Sequence, residues 1–152
     1  MTISPTSGPV GITPMTETVT LTTHGAIAIG DVVAVSPTVN SDGQFYLTQA
    51  PLSGNAHIDD NEFGVFAVAL EVIASGANGR FALAGILDVS ADGTDAITVG
   101  ESLEVDASTM NVNAGTTPGY KVVGFAIEAL ASGTGLIKVM FDGYNGFGTV
   151  HA

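Results

Sequence analysis

Cysteine and tryptophan are absent from the 152 residues, and only three cations, Arg80, Lys121 and Lys138, stand against fifteen acids. Each shortage removes a class of function. Without cysteine there are no disulfides, thiolate metal sites or thiol nucleophiles. Three scattered cations cannot form the cluster that displaces counterions from a phosphate backbone, so a formal charge of -12 argues against nucleic acid as a ligand. The histidines, His24, His57 and His151, lie beside no recognisable nucleophile, and the G-x-S-x-G, H-E-x-x-H and P-loop patterns are missing. With so few basic side chains, anion stabilisation has little to draw on. No catalytic residue, metal ligand or cofactor is expected, and the chain does not read as an enzyme. No apolar run approaches the ~18 residues of a membrane span, and "MTISPTSGPVGITP" lacks the basic start and apolar stretch of a secretion signal. A membrane partner is not expected.

Hydrophobic residues, at 45%, are plentiful enough for one domain with a real core. Charged residues are only 12%, against roughly 25% in an average soluble protein. The surface is therefore covered by Thr, Ser, Asn and Gly, with apolar patches left over. Monomers rarely expose large contiguous apolar areas, so such patches imply a partner.

Residues 1–15 hold Pro5, Pro9 and Pro14, with Ile3, Val10 and Ile12 isolated between Gly and Thr. Proline at that density forbids a helix and a central strand, leaving an extended arm or a disordered tail. From Thr16 the pattern turns to β and continues as one domain over 16–152. "ETVTLTT" alternates Val19 and Leu21 with threonines, "AIAIGDVVAVS" carries a Gly-Asp turn, and "GQFYLTQA" follows the hairpin signal "NSDG". Short strands with frequent Gly turns, and no amphipathic helix beyond a turn near Asn55 to Glu62, predict an all-β fold. A compact β-barrel, a β-clip-like body or a sandwich all satisfy that pattern.

The chain also repeats itself. "VFAVALEVIASG", Val65 to Gly76, returns fifty-seven positions later as "VVGFAIEALASG", Val122 to Gly133, with six identities in twelve. "AIAIGDVVAVS" from Ala26 pairs likewise with "AITVGESLEVD" from Ala96, placing Gly30 over Gly100 and Asp31 over Glu101. Two pseudo-repeats, about 26–83 and 96–139, are each too small to bury a core alone, so they are expected to intertwine in one body. Gly30, Gly76, Gly100 and Gly133 are expected at turns where a side chain obstructs or φ is positive. Glu71 and Glu128 end equivalent apolar strands, where a carboxylate suits backbone N–H groups at a turn or a subunit contact.

Two acidic stretches need weighing. His57, Asp59, Asp60 and Glu62 crowd "HIDDNEF", but their spacing misses the calcium loop, and a solvated loop accounts for them. Asp88, Asp92 and Asp95 surround Gly93 without the register or closing Glu of such a loop, so a turn between strands is the better reading. The tail "FDGYNGFGTVHA" sets Tyr144 and Phe147 among glycines. Rings on such a segment either anchor in a partner's pocket or fold back on their own core.

The order "GDVVAVS…GQFYLTQA…FGVFAVALEVIASGANGRFALAGILDV…ITVGESLEVD…YKVVGFAIEALASGTGLIKVMF" resembles the capsid decoration, or cement, proteins of tailed bacteriophages, over roughly Ala26 to Phe141. The resemblance implies a β-rich structural protein, homotrimeric on the outer surface of the virion. It would bind the major capsid protein and resist internal DNA pressure. It also implies an N-terminal extension that adds to a capsid-protein sheet, which suits the arm. Ile3, Pro5, Val10, Ile12, Tyr144 and Phe147 are the candidate capsid contacts. The alternative is a virion surface module for a host receptor or glycan, against which the 7% aromatic content and the missing tryptophan weigh.

Overall fold

Alternating β-branched and small residues, cut by glycine turns, fold as the pattern demands. A computed structural model describes residues 17–23, 25–39, 45–47, 65–106 and 109–151. Among these are nine strands and no helix: β1 (Glu17–Thr23), β2 (Val32–Val39), β3 (Phe45–Leu47), β4 (Phe66–Ala69), β5 (Asn78–Asp92), β6 (Ser102–Val105), β7 (Val112–Ala114), β8 (Gly124–Ala126) and β9 (Thr134–Asp142). The all-β expectation holds, and between barrel and sandwich the answer is a barrel.

Strand β5 organises the molecule. Its first half pairs antiparallel with β1, from Thr22↔Asn78 to Glu17↔Ala84, and its second half with β9, from Ala84↔Asp142 to Asp92↔Thr134. On its other edge β4 joins through Val68↔Ala82 and Ala69↔Phe81, and β7 through the parallel pair Ala91↔Val112. The hydrogen-bonded pairings consequently close twice. One circuit runs β1, β3, β2, β4 and β5, and the other β5, β7, β6, β8 and β9. The handover from β1 to β9 falls at Ala84 and Gly85, where Gly85 takes φ 140°, a conformation that L side chains rarely adopt.

Side-chain alternation then sorts the core. Leu21, Ile27, Val33, Val35, Ala67, Ala69, Ile73 and Phe81 form one buried cluster within the first ring. Their neighbours in sequence, Val32, Ala34, Phe66, Val68 and Ala82, point to the opposite face. There they join the second cluster with Leu87, Val89, Leu103, Val123, Ile137, Val139 and Phe141. The first ring therefore encloses a cluster of its own, and its opposite face completes the second cluster.

The run "VFAVALEVIASG" is not strand throughout. After Ala69 the chain bends, Leu70 N donates to Arg80 O at 3.0 Å, and Ile73 regains an antiparallel bridge to Ile27. The second copy behaves alike: β8 stops at Ala126, Ile127 N donates to Lys138 O at 2.8 Å, and Leu130 bridges Ile97.

Candidate functional site

Among the described residues the candidate site is an exposed apolar surface. Outward positions of β9 carry Leu136, Lys138 and Met140, and those of β5 carry Ile86, Asp88 and Ser90. Register sets Ile86 beside Met140, Asp88 beside Lys138 and Ser90 beside Leu136, while Phe125 of β8 lies on the far side of Met140. Ile127 follows on the same side as Phe125, and the ring of Phe147 meets that of Phe125 edge-on at 5.1 Å. Leu136 is 51% exposed, Met140 47%, and Ile86 and Ile127 39% each. Ser90 and the Lys138–Asp88 pair, at 2.8 Å, interrupt this apolar face, and Asp88 holds the Lys138 ammonium above its usual range.

Beside this face, against residues 120–122, runs the strap of residues 143–151. Phe147 N donates to Val122 O and Val122 N to Gly148 O, both at 2.9 Å, and Val150 N donates to Tyr120 O at 2.8 Å. Lys121, only 4% exposed, sends its ammonium beneath the strap to the carbonyls of Gly143 and Tyr144, both at 2.8 Å. The Phe66 ring lies 5.9 Å away, and burial pushes the Lys121 pKa down to about 8, opposed by Asp142. Gly146 takes φ 69°, and a side chain there would meet the Lys121 Cε. The strap is thus wrapped around a buried cation.

The expected residues fall out unevenly. Ile3, Pro5, Val10 and Ile12, like the His57 to Glu62 cluster, lie outside the described residues. Tyr144 is 58% exposed, whereas Phe147, at 41%, already leans on Phe125. Gly30, Gly76, Gly100 and Gly133 have φ of 86°, 78°, 87° and 71°. Space differs, however: a side chain at Gly30 would collide with Leu136, and one at Gly100 would meet nothing within 4 Å.

Glu71 accepts from Arg80 N at 3.2 Å and pairs with its guanidinium, and Glu128 accepts from Lys138 N at 2.9 Å. Asp92 accepts from the N–H and hydroxyl of Thr94, both at 2.8 Å, which lowers its pKa. Among the described residues no three His, Asp or Glu side chains gather as a metal site.

Two residues escaped the sequence reading. Glu104 looks solvent-facing between Leu103 and Val105, yet it is 2% exposed, because Thr117 folds over it with N–H and hydroxyl donors at 3.0 and 2.6 Å. Burial raises its pKa. Lys121 gave one signal, a single cation at the head of an apolar repeat, that composition alone could not interpret.

Comparison with known proteins adds to this geometry. A family model described as phage cement protein matches residues 13–141. No curated protein matches the chain. Among solved structures, the head fiber gp8.5 N base in bacteriophage phi29 is similar in fold, with a TM-score of 0.57 and 19% identity. The match covers 84% of this chain and 95% of that one.

Proposed function

Because the chain belongs to the phage cement protein family, we propose that it clamps the assembled head, binding the major capsid protein as a homotrimer and bracing the shell against internal DNA pressure. It is a structural component of the virion, at the capsid surface. The observation that carries the reading is the family match over residues 13–141, joined to a surface that offers exposed apolar side chains. The arm adds main-chain hydrogen bonds to a capsid-protein sheet, and Ile3, Pro5, Val10 and Ile12 serve as its side-chain contacts. Tyr144 and Phe147 supply ring contacts from the strap. Many weak contacts repeated over a lattice then act together.

The test mixes the purified protein with expanded heads that lack it and reads co-sedimentation and copies per head. Saturation at a fixed ratio to capsid subunits is the expected result, and deletion of residues 1–15 abolishes it. Absence of binding to expanded heads overturns the reading.

A further inference from the structure

We propose that the outer face of β5, β8 and β9 is the docking surface, and that it receives a protein patch with an apolar centre and a basic rim. This deepens the capsid reading and rests on it.

The molecule contains its own control. In the first ring the outward positions corresponding to this face, on β1 and the first half of β5, carry Thr18, Thr20, Asn78 and Arg80, paired as Thr20↔Arg80 and Thr22↔Asn78. Of these, Thr18, Thr20, Asn78 and Arg80 are exposed, whereas Thr22 and the outward Ala82 beside Thr18 are buried. In the second ring the same architecture carries Ile86, Leu136 and Met140, with Ile127 and Phe147 adjoining. The fold therefore tolerates threonine, asparagine and arginine at exposed positions of this kind, and although Leu136 lies against the Gly30 turn, Ile86 and Met140 keep a large share of their surface exposed. Exposed apolar side chains gathered on one face mark a contact.

Charge selects the occupant. Within the face Asp88 is paired with Lys138, and around it stand the acids Asp92, Glu128 and Asp142. A second copy of the chain brings the same acidic excess and is repelled. A basic-rimmed patch is attracted and steered into register.

Binding of the full-length protein to expanded heads lacking it, measured by sedimentation over a concentration series, tests the proposal. Met140→Glu puts a charge in the centre of the face, and Thr20→Glu puts one on the matched face of the first ring. Met140→Glu is expected to weaken binding by roughly tenfold or more, as loss of a central contact does, and Thr20→Glu to leave it unchanged. Ile127→Glu, beyond the end of β8, repeats the test should Met140→Glu fold poorly. Rising salt is expected to weaken the wild type, and Glu128→Gln less steeply.

Equal binding by wild type, Met140→Glu and Ile127→Glu overturns the face while leaving the cement reading standing. No binding by the wild type overturns both. Binding that is indifferent to salt removes the basic rim. A fall in molar mass by light scattering in Met140→Glu, with the heads absent, makes the occupant a second copy and also overturns the proposal.

Discussion

On the first ring the outward residues of β2 and β4 are Val32, Ala34, Phe66 and Val68, at 0%, 1%, 0% and 0% exposure, all inside the second core cluster. At the corresponding places in the second ring stand Ser102, Glu104 and Phe125, outside the core clusters, while Val123 stays in the second cluster. There the cover is not another barrel but the chain's own loop and strap: Gly115 N donates to Ser102 O at 2.8 Å, Thr117 caps Glu104, and Phe147 meets Phe125. The turns diverge in the same sense. Gly30 O accepts from Ser90 N of the second ring at 2.9 Å, whereas Gly100 has open space around it.

Backbone bonds nonetheless recur in both rings. Gly30 N donates to Ala69 O at 2.9 Å and Gly100 N to Ala126 O at 2.7 Å. The Asp31 and Glu101 carboxylates each accept a turn N–H, from Ala28 and Thr98, at 2.8 Å. The difference teaches that a common hydrogen-bond frame leaves the fate of each face to its side chains. The first ring spends its outer β2–β4 face on the interior, and the second keeps faces for the outside.

The largest effect expected from breaking this contrast is on stability. Phe66→Ala should cost about 3–5 kcal/mol by chemical denaturation, since it empties a fully buried site between the rings. Phe125→Ala, at a half-buried place, should cost clearly less, and equal losses would mean that the two faces are buried alike. Next come the paired turns. Gly30→Ala and Gly100→Ala both force a side chain into positive φ, at about 1–2 kcal/mol each, but only Gly30→Ala also collides with Leu136. The excess loss in Gly30→Ala measures the ring-to-ring contact.

Titration sharpens the contrast further. Lys121 has its folded pKa lowered to about 8 from 10.5, so between these values the unfolded chain holds the proton more often. Stability should rise as pH increases through that window, with the gain lost again as pH falls through 8, and Lys121→Met should abolish the slope. Glu104 is raised, so its burial costs stability once the folded group ionises, and the cost vanishes below the unfolded value of 4.5. Glu104→Gln should accordingly raise the melting temperature at pH 7 and do little at acid pH. Smallest of all, Glu71→Gln, at an exposed pair, should change stability by about 1 kcal/mol or less.

Much of this was legible in advance. Alternation in "ETVTLTT" and "AIAIGDVVAVS" marked strands because a β side chain has period two, and the glycines at 30, 76, 100 and 133 marked turns because φ is positive there. The sequence by itself determined the all-β class, the positions of the turns, the absence of cation clusters and the repeated Gly-acid and Glu-Ser-Gly frames.

Only the tertiary structure decided which strands pair. It made β5 a strand shared by two rings, buried Glu104 and Lys121, and left Leu136 and Met140 outside. The physical reason is that local pattern fixes which side of a strand is apolar, while pairing between residues far apart in sequence decides what that side meets. A buried ammonium under a strap and an apolar face toward solvent both arise from such distant partners, and no short window contains them.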